Sequence, residues 1–111
     1  MSHFVKHRDE LRVYAIDFSP DLGQATISSV ALLEIRNAAG EDKTAEFRSG
    51  VAAPTTENDA AVHFILRKAA TSSEQVPGTY RVKCRVATSS SEEPIALVAQ
   101  GKLVPLYVVG D

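Results

Sequence analysis

Gly78-Thr79-Tyr80-Arg81-Val82-Lys83-Cys84-Arg85-Val86-Ala87 decides the fold class. Tyr80, Val82, Cys84 and Val86 alternate with Arg81, Lys83 and Arg85, which gives one apolar and one basic face at the period of a β-strand. A helix would scatter the basic residues around its axis, whereas a strand gathers them on one side. The segment therefore reads as a strand at the centre of the core. Burial of its larger apolar side chains stabilises by roughly 1.5–3 kcal/mol each.

Working towards the N-terminus, Pro77-Gly78-Thr79-Tyr80 opens this strand with a tyrosine just after a turn. That is where the tyrosine corner of immunoglobulin-like sandwiches bonds its phenol back to the backbone. Thr71 to Gln75 is a polar connection. Ala60 to Lys68 admits two readings. Val62, Ile65, Leu66 and Ala69 would line a helix capped by Asn58 or Asp59, and Val62, Phe64 and Leu66 would line a strand. Its shortness and its β-branched and aromatic content favour the strand. Pro54 to Asp59 reads as a polar loop and Thr44 to Arg48 as a short strand ending before Ser49-Gly50.

From Ala25 to Arg36 a further strand is expected, with Ala31, Leu33 and Ile35 on one face and Asn37-Ala38-Ala39-Gly40 as the turn that follows. In Leu11 to Phe18, Leu11, Val13 and Ala15 point one way and Tyr14, Ile16 and Phe18 the other. Ser19-Pro20-Asp21 then breaks the strand, because proline has no donor for a ladder. Asp17, inside this apolar run, caps the turn through Ser19.

Towards the C-terminus, Ser89 to Glu93 forms a charged turn and Ile95, Leu97 and Ala99 alternate. Gly101 interrupts as a bulge, and Leu103 to Val109 completes the chain with Pro105 at a sheet edge or kink. The total is about six to eight short antiparallel strands with regular turns, the pattern of an all-β, immunoglobulin-like β-sandwich. Residues 1–111 form one domain, of which 1–9 read as a flexible lead.

Hydrophobic residues make up 44% and charged residues 23% of the sequence, which excludes a disordered chain. The formal net charge of -2 does not mark a nucleic-acid binder, so none is expected as a partner. No apolar run approaches the roughly twenty residues of a membrane span, and no membrane partner is expected. With a polar start and a lone cysteine, Cys84, the chain is expected to be made and folded in a reducing cytoplasm. Cys84 reads as a small core residue rather than a nucleophile, since Lys83 and Arg85 point away from it.

His3, His7 and His63 lack companions at metal-ligand spacing. Phosphate loops, nucleophile elbows and zinc motifs are absent from the sequence. No catalytic residue, cofactor or metal is expected, and the chain does not read as an enzyme. Two features bear on partners. Arg81, Lys83 and Arg85 form a basic row that either contacts phosphate or an acidic partner surface, or is a solvated face paired with acids on a neighbouring strand. Leu103-Val104-Pro105-Leu106-Tyr107-Val108-Val109 is apolar on both faces of any strand it forms, so Leu103, Leu106 and Tyr107 join the basic row as candidate partner contacts. Coverage of both faces within the monomer is the alternative.

Two stretches carry a resemblance. Leu11-Arg12-Val13-Tyr14-Ala15-Ile16-Asp17-Phe18-Ser19 is followed by Leu22 and Thr26-Ile27-Ser28-Ser29, and Gly78, Tyr80, Val82, Val86, Thr88 and Ser89 come later at matching spacing. In both, the chain resembles small phage and prophage virion proteins of immunoglobulin-like type. The resemblance implies a structural or accessory protein of the tail, head–tail junction or fibre region, made in the host cytoplasm and carried in the virion. Its partners would be other virion or assembly proteins or further copies of itself. A carbohydrate- or surface-binding module on the same fold is the alternative.

Overall fold

In the computed structural model, which describes residues 3–22, 25–58, 60–88 and 102–110, the alternating segments pair into two sheets. In chain order the described elements are β1 (Phe4–His7), β2 (Arg12–Asp17), α1 (Ser19–Leu22), β3 (Ile27–Asn37), α2 (Thr44–Arg48), β4 (Thr55–Glu57), β5 (Ala61–Leu66), β6 (Gly78–Thr88) and β7 (Lys102–Val109). One sheet has the order β1-β7-β6-β3 and the other β2-β5-β4. The pairs are antiparallel except β1 with β7, which is parallel. The expected turn from Ser89 to Glu93, the alternation of Ile95, Leu97 and Ala99, the Gly101 bulge and the Asp59 cap lie outside the described residues.

The two sheets share one apolar core. From β6, Tyr80, Val82, Cys84 and Val86 are buried, while Arg81 and Arg85 are exposed and Lys83 is half-buried. From β5, Val62, Phe64 and Leu66 are buried, so the strand reading of Ala60 to Lys68 holds over Ala61–Leu66. Tyr14, Ile16 and Phe18 point inward from β2 and its end, as their spacing predicts. Burial pushes the Cys84 thiol up to about 12, so it stays protonated and unreactive at neutral pH. The Tyr80 hydroxyl donates to the backbone carbonyl of Val76 at 2.7 Å, which pins the turn into β6.

Several expectations are corrected. Thr44–Arg48 is a single helical turn rather than a strand. Asp42 Oδ1 accepts from the Thr44 amide (2.9 Å) and hydroxyl (2.6 Å), which starts the turn, and Phe47 alone is buried from it. The Ile35 amide donates to Thr44 Oγ1 at 2.9 Å, so this hydroxyl takes the place of a neighbouring strand on the outer edge of β3. Ser19-Pro20-Asp21 ends β2 as expected, but as the start of α1; the Ser19 amide donates to Asp17 Oδ1 at 2.9 Å. The polar loop from Pro54 contains the short strand β4. On β3, Ile35 is buried but Ala31 is exposed, because register irregularities between Ile27 and Ser29 and between Val30 and Leu32 offset the strand.

The strand carrying Pro105 is not at an edge: β7 runs between β1 and β6. Proline fits there because pairing with β1 begins at Leu106, so at Pro105 the strand is bordered by β6 alone. Residues 1–9, expected to be a flexible lead, contribute β1. Phe4 packs its ring on Tyr14 and Phe64, with centroids 4.7 and 5.9 Å away.

Lys6 also points inward from β1, and it is fully buried. Its ammonium donates to Gln75 Oε1 (2.8 Å) and to the His7 carbonyl (3.0 Å). Gln75, also fully buried, has a backbone in the left-handed region at φ 50°. Its Nε2 donates to the carbonyls of Glu46 (2.9 Å) and Arg67 (2.8 Å), and its amide donates to Glu46 Oε1 (2.9 Å). One amide side chain thus ties β1 to α2 and to the end of β5. Arg8 adds a second tie by donating to the carbonyls of Thr71 and Glu74. A Cβ on Gly110 would lie 2.6 Å from Arg8 Cδ, so glycine lets the C-terminal segment pass close over that side chain.

Candidate functional site

The outward positions of the four-stranded sheet combine exposed apolar and basic side chains. The register places Val5 beside Tyr107, Tyr107 beside Thr79, Arg81 between Pro105 and Arg36, and Lys83 between Leu103 and Glu34. Val5, Leu103, Tyr107 and Val109 are exposed, and Tyr107 meets the His3 ring edge-on at 5.3 Å. An apolar strip on β1 and β7 therefore runs alongside a basic strip on β6 and β3.

The basic strip is not neutralised by its neighbours. Glu34 is the carboxylate that β3 turns to this face, and it is already held by Arg36, with Nε to Oε1 at 3.0 Å and Nη2 to Oε2 at 3.3 Å. Arg81 lies directly opposite Arg36, a like-charge pair across the ladder. Among the described residues Arg81, Lys83 and Arg85 make no ion pair. The structure thus brings Arg81, Lys83, Leu103 and Tyr107 onto one face, with Arg85 further along β6 opposite Leu32. Leu106 does not belong with them: its position in the alternation of β7 turns it into the core, where it is fully buried. Sequence reading missed Val5, Val109 and Arg36. The parallel pairing of β1 brings in Val5, and the β3–β6 register brings in Arg36; neither is visible in local alternation.

Other candidate sites are less developed. His63 bonds Glu57 at 2.6 Å on the outside of the three-stranded sheet, and His3 and His7 lie on the N-terminal strand side of the other sheet. Among the described residues no group of three His, Cys, Asp or Glu side chains is placed to hold a metal. A shallow cleft of about 230 Å³ lies between Asn37–Ala39 and Val76–Tyr80. The Asn37 side chain is committed to its own turn, accepting from the Ala39 and Glu41 amides and donating to Glu41, so it does not face that cleft as a ligand group. Among the described residues no helix is long and apolar enough to cross a membrane.

No protein-family model matches the chain, and no curated protein matches it.

Proposed function

We propose that the chain is an immunoglobulin-like virion structural or accessory protein, of phage or prophage type, that works by protein–protein contact and not by catalysis. The observation that carries this reading is the outer face of the four-stranded sheet, where exposed Val5, Leu103, Tyr107 and Val109 adjoin the unneutralised row Arg81, Lys83 and Arg85. Exposed apolar area rimmed by charge is the composition of a contact surface.

The immunoglobulin-like assignment is supported by strand order. The order β7-β6-β3 corresponds to G-F-C and β2-β5-β4 to B-E-D, with β1 as an N-terminal strand that joins G. The Tyr80 hydroxyl, bonded back to Val76 from the start of β6, corresponds to the tyrosine corner on F. Val82 stands two residues later, where antibody domains carry the second cysteine, and Cys84 is unpaired. A rigid sandwich of this kind presents faces, edges and end loops to partners. The carbohydrate-binding alternative has one exposed aromatic ring among the described residues, Tyr107. Mass spectrometry of particles purified from the source tests the assignment. The chain is expected in them at a fixed ratio to the other structural proteins; its absence from intact particles would overturn the virion reading.

A further inference from the structure

The two broad outer faces differ in charge. On the three-stranded sheet the register aligns Asp17, Ala61 and Glu57 in one row, Ala15, His63 and Thr55 in the next, and Val13 beside Ile65 in a third. Leu11 and Val13 are 61% and 56% exposed, which makes an apolar end. The carboxylates of Asp17 and Glu57 make an acidic end, with Glu57 bonded to His63 of the adjoining row at 2.6 Å. The amide of Ser19 bonded to Asp17 holds its carboxyl below the usual range, so it is ionised at neutral pH. No lysine or arginine of β2, β4 or β5 alternates outward on this face; Arg12, exposed at the start of β2, falls on the inward phase of the alternation, with its guanidinium over the Tyr14 ring and beside Glu10. Lys102 of β7 also reaches this end: its ammonium donates to the Asp17 backbone carbonyl at 2.8 Å, lies over the Phe18 ring and adds to the stabilisation of the Asp17 carboxylate.

The opposite face carries Arg36, Arg81, Lys83 and Arg85 against Glu34, beside its own apolar strip. We infer that the occupant of this face is a second copy of the chain, docked through its three-stranded sheet, so that copies stack front to back. This rests on the reading of the basic face as a contact surface and names the partner. The apolar strips bury each other, and the acidic row of one copy meets the basic row of the next. Basic face against basic face would place like charges together, so a two-fold dimer through this sheet is disfavoured. A front-to-back contact leaves one unused face at each end, and therefore continues into a ring or an open stack.

Sedimentation velocity across a concentration series, at low and high salt, tests this. Wild-type protein is expected to form species larger than a dimer as concentration rises, with self-association about tenfold weaker in high salt. Arg81→Glu with Lys83→Glu blocks the basic face, and Val13→Lys with Ala15→Lys blocks the acidic one. All four positions are on strand surfaces, and wild-type circular dichroism is the check that each variant is folded. Each blocked protein alone should be a monomer, and an equimolar mixture should give a one-to-one dimer and nothing larger. Wild-type protein that stays monomeric throughout overturns self-stacking, as does a blocked variant that still dimerises or a mixture that stays monomeric. None of these outcomes depends on whether the chain is found in particles, so the stacking and the virion reading fail separately.

Discussion

Replacement of Gln75 by leucine is expected to destabilise the protein by about 3–5 kcal/mol, the range for stranding a buried charge. The volume is nearly conserved, so the loss is one of hydrogen bonds and not of packing. The Lys6 ammonium would lose its bond to Oε1, and the Glu46 and Arg67 carbonyls would lose their bonds to Nε2. Each stranded buried group costs about 1–3 kcal/mol, more where it is charged. The consequence is structural as well as energetic: β1 would lose its tie to α2 and to the end of β5, which leaves it held by its four-residue ladder with β7, the packing of Phe4 and the bonds of Arg8 and of the Tyr14 hydroxyl. The neighbouring control, Val76→Ala, removes an exposed side chain and should change stability by less than about 0.5 kcal/mol. Urea unfolding of the three proteins checks this. A Gln75→Leu midpoint close to that of the Val76 variant would show that the amide does not hold the strand.

The second large effect concerns pH. Burial lowers Lys6 from 10.5 to about 8, with Glu10 and Asp9 acting in the opposite direction and Arg67 and Arg8 in the same one. Between those values the unfolded chain holds a proton that the folded chain does not, so stability rises with pH across that window. The full shift corresponds to about 3 kcal/mol gained between the two pKa values, with no contribution to the slope below both. Other groups act oppositely. Cys84 and Tyr14 are each pushed up to about 12 by burial, and Tyr80 is also raised. Above pH 9 the folded state keeps those protons longer than the unfolded state, and stability falls. Wild-type protein should therefore be most stable near pH 9, and the wild-type minus Lys6→Met stability difference should climb by about 3 kcal/mol between pH 7 and pH 10.5. Denaturant titrations at a series of pH values measure it. A difference that is flat across that range would mean that Lys6 is not desolvated in the folded protein.

Local alternation carried the all-β class because three of the core strands obey it without interruption. Tyr80 to Val86, Val62 to Leu66 and Tyr14 to Phe18 each place every second side chain in the core. Where the backbone departs from a regular ladder, alternation misleads: the irregularities in β3 move Ala31 to the outside. Thr44–Arg48 was illegible as a helix because five residues are too few to show a period, and the determinant is the Asp42 side chain bonding forward to Thr44. Lys6 and Gln75 are polar residues in segments that read as solvated, and only tertiary packing reveals that they satisfy one another. The candidate surface was half legible. The basic row follows from period two, but the apolar strip beside it depends on β7 lying between β1 and β6, and Leu106 was assigned to the wrong side because a run apolar on both faces does not show which face is covered.

The outer face of the four-stranded sheet is the proposed contact surface with partners. A photo-cross-linking amino acid in place of Tyr107, which is exposed on that face between Val5 and Thr79, tests it in particles or producing cells, with the same group in place of Ala52 as the exposed control. Adducts to protein are expected from position 107 and not from position 52, and they should disappear when Arg81→Glu and Lys83→Glu are added. Equal adducts from both positions, or none from position 107, would contradict the account.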